Sequence, residues 1–177
     1  MFGFRSREGV DEFIENESIA SFEKLPYPDE WPRIIDTEAQ VAKVLNMFEE
    51  SEELTVETQL EVKHRFKKGH LSRTISNSGR YITESLRKGW PVPLEDVPLC
   101  DIHTRGSSGS EKRQHYINAV IRKFGVSATF DRLPPILLAR KNDGTLSTLD
   151  GATRSMVAYE QGLPTIKAYV IPEGVVN

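Results

Sequence analysis

The sequence contains one cysteine, Cys100, and no uninterrupted apolar run of about 18 residues. The single cysteine excludes an intramolecular disulfide, and no Cys/His spacing of the structural-zinc kind accompanies it. Cys100 therefore reads as a small buried apolar residue on a strand. The absence of long apolar runs excludes a membrane-spanning helix, and the opening MFGFRSREGVDEF turns acidic before a signal-peptide core can form. A soluble, cytoplasmic protein without a membrane partner is the expectation. There is also no internal repeat and no low-complexity tract.

What is present is enough for one sizeable core, or one core with a helical appendage: 177 residues, 38% of them apolar. The net charge of -3 hides an asymmetry. Residues 1–62 hold 16 Asp+Glu against 5 Lys+Arg, a net of -11, and residues 63–177 hold 10 against 18, a net of +8. Either an acidic front faces a basic back able to attract phosphates, or the two halves neutralise each other within one globule.

The first 35 residues are rich in Glu, with Pro26, Pro28 and Pro32 among Tyr27 and Trp31. This composition predicts an extended arm with two aromatic anchors, laid across the domain or across a partner. Asp36 is placed to cap a helix whose Val41, Val44, Leu45 and Phe48 fall at i, i+3, i+4 and i+7. Thr55 is placed to cap a second helix, whose basic end at Lys63, Arg65, Lys67 and Lys68 suits a helix C-terminus before Gly69. A third, from about Ser72 or Ser78 to Lys88, uses Ile75, Ile82 and Leu86 and stops at Gly89.

From Trp90 onward short apolar runs alternate with turns, predicting a strand over 97–102 and a loop over 103–109. Ser110 opens a helix carrying Ile117, Val120, Ile121 and Phe124, which Gly125 ends. After Leu133-Pro134-Pro135 a strand over 136–140 turns at Asn142-Asp143-Gly144 and returns through 146–149. A short helix over about 152–161 ends at Gly162, and 165–171 supplies a last strand. The division is an acidic N-terminal arm with a helical extension over 1–90 and an α/β domain over 91–177.

The chemistry concentrates where the chain leaves a strand at Leu149 and enters a helix through Asp150-Gly151-Ala152-Thr153-Arg154. Glycine permits the sharp bend and lets a ligand approach the backbone. The amides of Gly151, Ala152 and Thr153 then lie at a helix N-terminus without intrahelical acceptors, which favours an anion. Arg154 in the first helical turn opposes the helix dipole unless an anion compensates it, which argues for a phosphate. Asp150 either caps the helix or holds a sugar hydroxyl or a metal-bound water.

The order of elements around this turn resembles the ParB/sulfiredoxin superfamily over about residues 93–172. The resemblance is carried by Val97-Pro98-Leu99, Leu133-Pro134-Pro135-Ile136, Asp143-Gly144, Leu149-Asp150-Gly151-Ala152-Thr153-Arg154 and Ala158-Tyr159-Glu160-Gln161-Gly162-Leu163-Pro164. It implies an α/β (α+β) fold with a small mixed sheet and flanking helices, preceded here by a helical N-terminal extension. It also implies that Arg154, with Arg105 in the loop after the first strand, contacts nucleotide phosphates. Sulfiredoxins carry their nucleophilic cysteine where this chain has Ala152, so sulfinic-acid repair is not expected. Chromosome-partitioning ParB proteins have paired arginines in the turn and a helix-turn-helix domain after it; here the turn has Thr153-Arg154 and the sequence runs five residues past Pro172, so operator-specific binding by that route is not expected. Compact members include nucleotide hydrolases, proteins with DNase activity, free-serine kinases and small plasmid fertility-inhibition proteins that act on a DNA-transfer or secretion machine.

These readings combine into one expectation: an Mg²⁺-dependent ATPase with possible DNase activity. Asp150, Arg154 and His103 are its catalytic candidates, and Gly151, Ala152, Thr153, Arg154 and Arg105 the nucleotide-binding ones. Asp150 is the metal candidate, in a wider carboxylate set with Asp101 and Glu160. His103 or His115 is the candidate base, and the segment 106–110 a flexible cover or a plain connection. Lys112, Arg113, Arg122 and Lys123 form either a solvated helix face or a strip for the DNA backbone. Two alternatives stand beside this expectation. One is an interaction protein that blocks a partner of a transfer machine through residues 1–35; the other is a small-molecule kinase.

Overall fold

A computed structural model of the chain describes residues 7–53, 71–103 and 111–175. These form a mixed α/β fold with six strands and six α-helices among the described residues. The helices are α1 (Arg7–Glu23), α2 (Glu38–Glu53), α3 (Leu71–Arg87), α4 (Glu111–Phe124), α5 (Val126–Arg132) and α6 (Ala152–Glu160). The strands are β1 (Ile34–Ile35), β2 (Val92–Pro98), β3 (Ile102–His103), β4 (Ile136–Arg140), β5 (Leu146–Asp150) and β6 (Thr165–Pro172), in the sheet order β1-β2-β6-β4-β5-β3. The pairs β6/β4 and β5/β3 are parallel and the other three antiparallel.

Strand alternation divides the interior into two layers of packing. Leu137 and Ala139 of β4 and Tyr169 and Ile171 of β6 face one way, onto Val41, Val44 and Met47 of α2, Ile82 of α3, and Trp31 and Ile35. Ile136 and Leu138, with Ile166, Ala168 and Val170, face the other way, onto Ala158 of α6. Beyond α6, Val157 joins Ile117 and Val120 of α4, Leu133, and Phe22 and Leu25 from the N-terminal segment. Helices therefore cover both faces, as the near-continuous apolar runs of β4 and β6 require.

Several elements depart from the sequence expectation. An extended arm is not what the first 35 residues form: 7–23 is helix, and Phe22, Leu25, Trp31 and Ile35 are buried in this chain's own core. Serines explain why the periodicity concealed it, because the inward side of α1 includes Ser18 and Ser21, buried but not apolar. Thr37, not Asp36, caps α2: its hydroxyl accepts from Gln40 N–H at 3.2 Å while the Gln40 side chain accepts from Thr37 N–H, a capping box. Strand β2 begins at Val92, five residues before the expected start, and Leu99–Asp101 is a 3-10 turn that leaves Cys100 exposed. Gly125 ends α4 as expected, with φ +87°, but a further helix, α5, starts at once. Thr129 supports it by donating its hydroxyl to the Gly125 carbonyl at 2.7 Å.

Other elements fall where the pattern put them. β4, β5, α6 and β6 match within a residue, and the helix stop at Gly162 is a Schellman turn with Leu163 N–H donating to Ala158 O at 3.1 Å. The same turn closes α3 at Gly89, where Trp90 N–H donates to Ser85 O at 2.9 Å. The helix expected between Thr55 and Gly69, with its basic end, lies outside the described residues.

Candidate functional site

The sheet topology brings a defined set of chain ends to one edge. β5 runs antiparallel to β4, so the carboxyl end of β5 lies beside the amino end of β4, while β3 runs parallel to the first residues of β5 and ends three positions short of Asp150. The turn at Gly151 therefore emerges next to Pro135, which precedes β4. Arg105 and the segment 106–110 follow β3 in sequence and lie outside the described residues.

Gly151 is the N-cap of α6 in a left-handed conformation, φ +94° and ψ 25°, with no side-chain cap. Two physical reasons require glycine there. A side chain at that φ is strained, and an added Cβ would stand 2.7 Å from Ile136 Cβ and 2.9 Å from Arg154 Nη2. The space beside the glycine is thus filled by the chain itself. Asp150 is not the helix cap, contrary to one of its two expected roles. The amides of Ala152, Thr153 and Arg154 open the helix ahead of the first intrahelical bond, Ser155 N–H to Gly151 O at 3.0 Å. Ala152 is exposed and Thr153 is buried.

Arg154 folds back over the turn. Its Nη2 lies 3.6 Å from the Asp150 carboxylate and donates to the Pro135 carbonyl at 3.4 Å, while its Nε is buried without a partner. Both side chains of the ion pair are largely buried, 18% exposed for Arg154 and 20% for Asp150. The anion that offsets Arg154 at this positive helix end is, in the structure, Asp150 itself. Guanidinium carries five N–H donors, and the two long contacts leave most of them unused among the described residues. Tyr116 of α4 lies close by: burial pushes its phenol well above the usual tyrosine range, and the positive charges of Arg154 and Arg132 partly offset the shift.

The other candidates are scattered. His103 pairs with Ser147 of β5 and is exposed, three positions short of Asp150 along the strand. His115 is exposed on α4. The set Asp101, Asp150 and Glu160 does not assemble: no group of three or more His, Cys, Asp or Glu side chains suited to a metal occurs among the described residues. Asp101 sits in the 3-10 turn after β2 and Glu160 at the far end of α6, which keeps both from the Gly151 turn. Arg122 and Lys123 are exposed on α4, and Arg122 is 3.6 Å from Glu15 of α1. The side chains of Lys112 and Arg113 lie outside the description.

One functional-looking residue carried no sequence signal. Arg132, at the end of α5, places its guanidinium 5.1 Å from the ring centre of Phe22 and 5.0 Å from that of Tyr27. It also donates to the carbonyls of Glu23 at 3.2 Å and Leu25 at 2.7 Å, completing the C-terminus of α1. Its partners lie more than a hundred residues away in sequence, where no local pattern reaches.

No described helix is long and apolar enough to cross a membrane. No protein-family model matches the chain, and no curated protein matches it. Among solved structures, the chain is similar to a sulfiredoxin from Arabidopsis thaliana, with 23% identity and a TM-score of 0.36, over 47% of this chain and 91% of that one.

Proposed function

We propose that the protein binds the phosphates of a nucleotide at the turn of residues 150–154. The observation that carries this reading is Arg154, a guanidinium mostly withdrawn from water, aimed across the start of α6, whose contacts are long and whose Nε has no partner. A phosphate there accepts from the fork of the guanidinium and from the opening amides of Ala152 and Thr153, and it favours the positive end of the helix. Water is the weaker competitor because the site is largely buried.

ATP with Mg²⁺ is the ligand proposed. Magnesium keeps much of its water and needs only one or two carboxylates beside phosphate oxygens, so Asp150 alone, without the set that fails to assemble, suffices to hold it. The ion would neutralise charge on the phosphates. Membership of the ParB/sulfiredoxin superfamily goes with this reading. Its catalytic extension is hydrolysis of the nucleotide, and of DNA, with Arg154 and Arg105 offsetting developing charge and His103 serving as base. Contact with DNA would fall to Arg122, Lys123, Lys112 and Arg113. Inhibition of a transfer or secretion machine through residues 1–35 is the corresponding physiological proposal. Four of those residues are committed to the core, so a partner would meet the outer surface of this segment and not a free arm.

The test is a panel of common nucleotides with the full chain, with and without Mg²⁺, DNA or free serine, following thermal stabilisation and phosphate release. Stabilisation by at least one nucleoside triphosphate and metal-dependent phosphate release are expected. Release of ADP that requires serine and yields no free phosphate identifies a kinase. A panel in which no nucleotide shifts the melting temperature contradicts the proposal.

A further inference from the structure

We infer that Asp150 is an internal counter-anion that a phosphate must displace from Arg154, and that it thereby sets how much negative charge a ligand needs to occupy the turn. This rests on the phosphate-binding reading above. Three observations point to it. Asp150 immediately precedes the N-cap Gly151, and Arg154 is the third residue of α6, so the i,i+4 spacing lays the carboxylate over the same helix start that would receive a ligand. Asp150 makes no capping bond there, and Arg154 is its described side-chain partner. The separation of 3.6 Å exceeds the roughly 2.7–2.9 Å of a tight charge-assisted hydrogen bond, so the pair is held by charge and not locked by geometry.

The consequence is electrostatic. An incoming phosphate is drawn by Arg154 and repelled by the Asp150 carboxylate, at a place where both side chains are about four-fifths withdrawn from solvent and the repulsion is weakly screened. A ligand of single charge only replaces the attraction that Asp150 already provides. A polyphosphate brings enough charge to displace it and remain bound. Asp150 is thus a specificity-determining residue that holds Arg154 in place when the turn is empty and raises the threshold for anions when it is not.

Calorimetric titration of ATP in EDTA tests this with the full chain, on the wild type, Asp150→Asn and Asp150→Ser, each checked for folding by circular dichroism. Both substitutions should tighten metal-free ATP binding about tenfold by removing the repulsion. Combining Asp150→Asn with Arg154→Ala should improve affinity over Arg154→Ala by less than Asp150→Asn improves the wild type, because only the direct repulsion is then removed and no guanidinium is released. If the wild type binds ATP and both Asp150 variants bind it equally or more weakly, the counter-anion role is overturned and the phosphate site stands. If neither the wild type nor the variants bind ATP in EDTA, this inference falls; if the wild type also fails to bind ATP with Mg²⁺, the phosphate-binding reading falls with it.

Discussion

At the scale of single residues, two glycines with almost the same backbone conformation separate conformational strain from close packing. Gly144, φ +86°, has open space where a Cβ would go, and Gly151, φ +94°, has Ile136 and Arg154 there. Gly144→Ala should therefore cost about 1–2 kcal/mol, the left-handed penalty alone. Gly151→Ala should cost about 3 kcal/mol or more, because overpacking against Ile136 is added. Urea denaturation of the two variants measures the difference, and equal losses would show that Ile136 yields to the methyl group. The glycine and the arginine of the turn were legible in sequence because strand, bend and helix start are local events. The Asp150–Arg154 pair was not, since the same aspartate has the composition of a cap and only the three-dimensional bend decides which neighbour it faces.

At the scale of elements, the legible ones carry their own punctuation. Pro134-Pro135 and Gly162 bracket β4 to α6, and each boundary is enforced by what proline or glycine does to the backbone. α1 and α5 were missed for different reasons. The inward face of α1 is partly serine, and α5 begins at the residue that reads as a stop. Arg132 joins these two hidden elements, stacking between Phe22 and Tyr27 and holding the carbonyls of Glu23, the last residue of α1, and of Leu25 just after it. Arg132→Ala should cost about 2–4 kcal/mol through lost ring contacts and lost hydrogen bonds to carbonyls. It should also raise the rate of proteolysis near residues 23–27, and a variant cleaved no faster than the wild type would remove Arg132 from that role.

At the scale of the molecule, the charge asymmetry is met partly by neutralisation within the globule, since the acidic α1 packs against α4 and Glu15 reaches Arg122. This exposed pair contributes little to stability, but it places acidic charge beside the proposed DNA strip. Chain topology then does what no single element does: it lays the start of β4, the end of β5 and the start of α6 together, with Arg154 bridging from α6 to Pro135 and Asp150. The claim that this turn receives a nucleotide phosphate through Arg154 is tested most directly by titrating ATP with Mg²⁺ into the wild type and Arg154→Ala in one buffer. Saturable binding to the wild type, weakened by at least about a hundredfold in a folded Arg154→Ala variant, is the predicted result; equal affinity for the two proteins would contradict it.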